Sequence, residues 1–134
     1  MNQLFKSALL TIALSFSFNA VATAASATPA TKEVAIGFNE VYVPGGFDSS
    51  SESYVVANGL FPNGCYQWKK ADVKHVDTFN HEVESYATVS QGMCIMVLVP
   101  FTKEIRLGKL ARGAHTLKFL NGDGTYLQKN MNIE

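Results

Sequence analysis

Val34, Ile36 and Phe38, then Val41 and Val43, nearly alternate with polar neighbours until Pro44-Gly45-Gly46 interrupts the run. Strand side chains project to alternate faces with a period of two, so this pattern predicts a half-buried strand followed by a turn. Ser53 to Leu60 repeats it around Tyr54, Val55 and Val56, and Pro62-Asn63-Gly64 closes that second strand. A third strand is predicted to begin at Cys65 to Trp68. Met93 to Val99 is a continuous apolar run, too short to span a membrane and rich in strand formers, and it predicts a central strand buried on both faces. Ile105, Leu107 and Leu110 follow. His115, Leu117 and Phe119 alternate strictly with Thr116 and Lys118, Asn121-Gly122-Asp123-Gly124 is a hairpin signal, and Thr125 to Ile133 is the last strand.

The segment 69–89 admits two readings. Val73, Val76, Phe79, Val83 and Tyr86 could line one face of a helix at three- and four-residue spacing. Val73, Val76, Thr78, Val83, Thr88 and Val89 are β-branched, however, and favour a hairpin turning near Asp77 to His81, which is the preferred expectation. About seven short strands with turn signals between them predict an all-β sandwich.

The first two dozen residues belong to a different pattern. Lys6 precedes an uncharged, mostly apolar stretch from Leu9 to Val21, and Ala22-Thr23-Ala24 places small residues where a signal peptidase reads. Residues 1–24 are therefore expected to be a cleaved secretory signal, with cleavage after Ala22 or Ala27 as alternatives. Ser15, Ser17 and Asn19 interrupt the run, which disfavours a retained spanning helix. Residues 25–33 are expected to be a flexible leader and 34–134 the sandwich domain. An exported protein, periplasmic or extracellular, follows from this, with no membrane anchor after cleavage.

Composition narrows the partners. The chain has 134 residues with 11 basic and 11 acidic side chains, and losing Lys6 with the signal leaves a net charge of −1. Neither nucleic acid nor an anionic surface is then expected as the main partner, because both require a clustered positive excess. The two cysteines, Cys65 and Cys94, read as a disulfide in an exported chain.

Leu107-Gly108-Lys109-Leu110-Ala111-Arg112-Gly113-Ala114-His115-Thr116-Leu117 resembles the L-x-x-G-x-Y crossover of immunoglobulin-like and fibronectin type III-like modules. In those modules a tyrosine hydroxyl bonds back to the preceding loop. His115 stands in the tyrosine's place, and its imidazole could make the same bond to backbone. The turn Asn63-Gly64-Cys65-Tyr66 and the segment Phe101 to Leu110 look like those of small secreted bacterial sandwich proteins. The resemblance implies an immunoglobulin/fibronectin III-like sandwich of about seven strands and assigns no function. Trp68, three residues after the first cysteine, departs from true immunoglobulin domains, whose tryptophan lies on the next strand.

Candidate chemistry is sparse. There is no G-x-S-x-G, and oxidised cysteines supply no thiolate, so the protein is read as non-catalytic. Glu82 and Glu84 would share a solvated strand face. Phe47, Phe61, Tyr66 and Trp68 are aromatic residues near turns and form a candidate binding surface for a protein or carbohydrate, although they could equally cap the core. The leading expectation is an exported binding or structural module without a cofactor. One alternative is a periplasmic copper or zinc protein using His75, His81 and a methionine. Another is a secreted hydrolase inhibitor presenting the Pro44-Gly45-Gly46-Phe47 loop.

Overall fold

A computed structural model describes residues 20–22 and 29–134. The expected signal segment, apart from residues 20–22, and the leader residues 25–28 lie outside the described residues. The described part is a sandwich of eight strands and no helix: β1 (Thr31–Ile36), β2 (Glu40–Tyr42), β3 (Glu52–Phe61), β4 (Tyr66–His75), β5 (Asn80–Ser90), β6 (Val99–Lys109), β7 (Gly113–Leu120) and β8 (Tyr126–Ile133). Strands β2, β3 and β6 form one antiparallel sheet, and the other five form a mixed sheet.

β5 organises the larger sheet. β4 pairs antiparallel along one edge of it, from Tyr66 opposite Val89 to His75 opposite His81. Two strands share the other edge. β1 covers Ser85 to Ser90 in antiparallel register, and β7 covers Asn80 to Glu84 in parallel register. β8 then pairs with β7. The segment 69–89 is thus the hairpin its β-branched residues favour, with the turn at Val76 to Phe79. Backbone amides of Phe79 and Asn80 both donate to the Asp77 carboxylate at 2.8 Å, closing the turn.

Three sequence expectations need correction. The strand expected over 34–43 is two strands in different sheets, joined through Gly37-Phe38-Asn39. A Cβ on Gly37 would collide with the Asn121 side chain, so the chain can change sheets there only with glycine. β1 also begins at Thr31, three residues before Val34, because Thr31 to Glu33 pair with Thr88 to Ser90. The largest departure is the apolar run 93–99. Only Val99 lies in a strand, and Gln91 to Leu98 is an irregular crossing between the sheets.

Between the sheets, Val55, Ala57, Val83, Ile105, Leu107, Leu117, Phe119, Met131 and Ile133 form the buried layer. Phe38 lies at its centre, with the rings of Trp68, Phe101 and Phe119 each 6.1 Å away. Towards the end that carries Cys65, Phe61 stacks on Phe101 at 4.1 Å and on Tyr66 at 5.7 Å. Gly59 lies opposite Phe101 in the β3–β6 register, and the ring occupies the space where a Cβ would go.

Cys65 and Cys94 are disulfide-bonded, with Cα atoms 5.2 Å apart. The bond joins the β3–β4 turn to the β5–β6 crossing. Closing a loop of about 30 residues is worth about 3.6 kcal/mol in the chain-entropy model. A Cys65→Ala/Cys94→Ala variant is expected to lose roughly 2–4 kcal/mol in denaturant unfolding, with wild-type protein showing no thiol under unfolding, non-reducing conditions. Gly59→Ala should destabilise by about 1–3 kcal/mol, because the Phe101 ring would have to shift from its packing on Phe61, Phe38 and Trp68. A denaturation midpoint unchanged from wild type would contradict that packing.

Candidate functional site

The two ends of the sandwich have different chemistry. At one end the β4–β5 hairpin and the β6–β7 connection bring His75, His81 and His115 together. At the other, the disulfide holds the crossing Gln91 to Leu98.

His75 and His81 are cross-strand partners on β4 and β5, and His115 lies on β7 beside them. His81 and His115 are buried within the sandwich, whereas His75 is exposed. The rings form a chain. His115 Nε2 lies 2.6 Å from the Ala111 carbonyl oxygen, His115 Nδ1 lies 2.9 Å from His81 Nε2, and His81 Nδ1 lies 2.6 Å from His75 Nδ1. A carbonyl only accepts, so His115 carries its proton on Nε2 and accepts at Nδ1. His81 must then donate from Nε2 and accept at Nδ1, and His75 must donate from Nδ1. One backbone oxygen therefore sets the tautomers of His115 and His81 and makes Nδ1 the donor of the exposed His75.

The bond from His115 to Ala111 reaches back four residues across the passage from β6 in the small sheet to β7 in the large one. The His115 imidazole thus makes the bond to preceding backbone that the sequence allowed for it.

This arrangement does not favour an ion shared by His75 and His81. Two imidazoles on a tetrahedral zinc at about 2.0–2.1 Å would hold their nitrogens about 3.3 Å apart, and here the facing nitrogens are at hydrogen-bond distance. Met93 and Met96 are at the opposite end, and Met131 is buried in the core opposite His115. The hollow bordered by His75, Asp77, His81 and Lys109 is about 210 Å³, and its neighbour beside Asn80 and Lys118 is about 190 Å³. Both are smaller than the roughly 300–1,000 Å³ of ordinary small-molecule sites.

The disulfide end is apolar. Besides the Cys65–Cys94 bond, the Gly64 amide donates to the Ile95 carbonyl at 2.9 Å and the Ser90 amide donates to the Cys65 carbonyl at 3.0 Å. The crossing is thereby fixed over the β3–β4 turn, yet its side chains point outward. Met93 is fully exposed, and Ile95, Met96, Val97 and Leu98 are 72%, 79%, 53% and 65% exposed. Leu60, at the end of β3, is also exposed beside them.

The aromatic residues named from the sequence divide between the two ends. Phe61, Tyr66 and Trp68 gather around Phe101 behind the crossing, with Phe61 buried and the other two half-buried. Phe47 lies at the histidine end, half-buried against Tyr54 at 5.3 Å, and its carbonyl accepts from the Glu134 amide. Glu82 and Glu84 share the outer face of β5, where Glu84 raises the pKa of the Tyr86 hydroxyl. Sequence reasoning did not find the exposed crossing, because an unbroken apolar run reads as interior. A signal was present in Cys94: a bond to a cysteine beside Pro62-Asn63-Gly64 places it at the end of the sandwich.

The histidine chain carries a pH signature. Burial holds the His81 imidazole below its usual value of 6.5, the neighbouring His75 and His115 add to this, and Asp77 opposes it. A native histidine with a lowered value binds fewer protons than the unfolded chain, so its contribution is complete above pH 6.5 and is lost as pH falls from there towards the native value. The carboxylates of Asp48, Asp77 and Asp123 are held below 3.8 by hydrogen bonds and stay ionised across this range. Unfolding free energies from denaturant titrations between pH 7.5 and 5.5 should fall with pH by up to about 1.4 kcal/mol per unit, the slope of one proton. His81→Gln keeps a donor towards His115 and removes the titration, so it should flatten the slope; an unchanged slope would place the titration elsewhere.

No curated protein and no solved structure matches the chain. A family model described as the ORF11 beta-sandwich domain matches residues 55–132, from within β3 to within β8. That match takes in the disulfide, the exposed crossing and the histidine chain, and the chain belongs to the ORF11 beta-sandwich domain family.

Proposed function

We propose that the protein is an exported, non-catalytic binding module of the bacterial envelope or extracellular space, and that its contact surface is the disulfide-held crossing Met93 to Leu98. The observation that carries this reading is the exposure of five large apolar side chains, Met93 and Ile95 to Leu98, flanking Cys94. Fully burying one such side chain is worth about 1.5–3 kcal/mol, so covering these five at their present exposure would supply roughly 6–11 kcal/mol before the costs of association. Those costs are estimated at about 4–15 kcal/mol, which makes a reversible contact the natural outcome. The disulfide and the Gly64–Ile95 bond order the segment in advance and lessen the entropy lost on binding.

Export is supported by the leader sequence and by a disulfide of the kind that persists in oxidising compartments. The His115–Ala111 corner supports a sandwich of the immunoglobulin/fibronectin III-like kind. A sugar-binding aromatic platform is less well supported, because Phe61, Tyr66 and Trp68 are packed against Phe101 and one another. An inhibitor loop centred on Phe47 has its anchor already engaged with Tyr54 and the core.

The reading is tested by replacing Met96 with a photo-reactive residue in exporting cells, with the same residue at Lys118 on the outer face of β7 as the control. A covalent adduct, to lipid or protein, is expected at Met96 and not at Lys118. No adduct from Met96, or equal adducts from both positions, would remove the crossing as the contact surface.

A further inference from the structure

We propose that the disulfide end of the sandwich is a lipid-contact surface, with the side chains of Met93 to Leu98 seated at the boundary between headgroups and acyl chains. This rests on the crossing being the contact surface and names what covers it. The first argument is charge. No Asp, Glu, Lys or Arg occurs from Ser53 to Trp68 or from Ser85 to Thr102, the two stretches that build this end. Charges are present at the opposite end, where Asp77 and Lys109 border the hollow beside His75 and His81, Lys74 precedes His75 in β4 and Glu52 pairs with Lys109. The disulfide end can enter a low-dielectric layer without desolvating an ion, whereas the histidine end cannot.

The second argument is the order of side chains behind the tip. Tyr66 follows Cys65 directly behind the apolar crossing, and Trp68, half-buried against Phe101, is two residues further along β4. Lys32 is paired with Val89 near the end of β5, and Lys103 Nζ lies 6.0 Å from the Trp68 ring centre. Lys69 is neutralised by its ion pair with Glu33. An apolar tip, then Tyr and Trp, then lysines follows the polarity gradient of a bilayer surface from acyl chain to phosphate. A protein partner imposes no such layering.

The third argument is where the chain enters the fold. The Gln91 amide donates to the Ala30 carbonyl at 2.9 Å, and a Cβ on Gly92 would lie 3.8 Å from Pro29. The sequence that precedes Pro29 contains the apolar stretch Leu9 to Val21, whose pattern is that of a segment threaded into a membrane during export. The described chain enters the sandwich at Pro29 and Ala30, at the end that carries the exposed crossing. Contact after cleavage requires no anchor. Irregular backbone is not tolerated in the hydrocarbon interior, so the crossing sits at the headgroup boundary, where water still reaches its peptide groups.

The test uses the exported protein purified from cells, its N-terminus established by mass, floated with vesicles of phosphatidylcholine alone or with phosphatidylglycerol. Wild type should float with both and more strongly with the anionic vesicles. Met96→Asp/Leu98→Asp should lower the bound fraction at least tenfold with its disulfide and thermal midpoint unchanged. Lys32→Gln/Lys103→Gln should lose only the anionic increment. If the acidic variant fails to fold, Met96→Ser/Leu98→Ser serves in its place with the same loss expected. Absence of wild-type flotation, or flotation unaffected by either pair of changes at the crossing, would overturn the lipid assignment. If flotation is absent while Met96 still photo-crosslinks to a protein in cells, the crossing remains a contact surface and its partner is protein. Absence of both would end the two readings together.

Discussion

The constraint on which the structure depends is that one chain must pass between two facing sheets at four places among the described residues: β1 to β2, β3 to β4, β5 to β6 and β6 to β7. Each passage leaves the hydrogen-bond ladder and must satisfy or expose its backbone by other means. The β3–β4 and β5–β6 passages lie at the same end and are tied to each other by the Cys65–Cys94 bond and the Gly64–Ile95 hydrogen bond. The β6–β7 passage is closed by His115 against the Ala111 carbonyl. The β1–β2 passage runs through Gly37, where the Asn121 side chain leaves space for no other residue. With these corners held, the inner faces of the sheets are brought into register over the Phe38 cluster.

The corners also explain why so much of the alternation was legible and one segment was not. Ser53 to Leu60, His115 to Phe119 and the β-branched residues of 69–89 lie in strands with one buried face, and period-two patterning is the direct result of that geometry. Cys65 and Cys94 were legible as a pair because two cysteines in an exported chain have one pairing within the chain. The residues from Met93 to Leu98 obey another rule. Their composition is that of a strand interior, but Cys94 is tethered to a turn at the end of the sandwich, and a covalent bond overrides a local propensity. Likewise, the break at Gly37 is set by Asn121, a neighbour more than eighty residues away, which no local pattern encodes.

The histidines illustrate a second limit. His75 and His81 were recognised as able to meet across a hairpin, and His115 as a stand-in for a corner tyrosine, on separate grounds. What joins them is the parallel pairing of β5 with β7, which sets Asn80 opposite Thr116 and brings His81 within reach of His115. A sequence shows strands more readily than their order, and only the order turns three residues into one hydrogen-bonded chain.

That chain and the apolar crossing occupy opposite ends of β5, whose eleven residues at about 3.3 Å each separate them by roughly 35 Å. Buried imidazoles need partners for both ring nitrogens, and His81 and His115 have them beside a hairpin closed by Asp77. Apolar side chains held out to solvent need a rigid base if they are to remain available instead of folding back on the core, and the disulfide provides it. The same fold therefore places its satisfied polar groups at one end and its uncovered apolar groups at the other. A net charge near zero would conceal this polarity, because the charges are balanced in number yet excluded from the two stretches that build the disulfide end. The separation makes orientation a property of the sandwich itself: if the uncharged end is covered, the histidine end is the part left facing water.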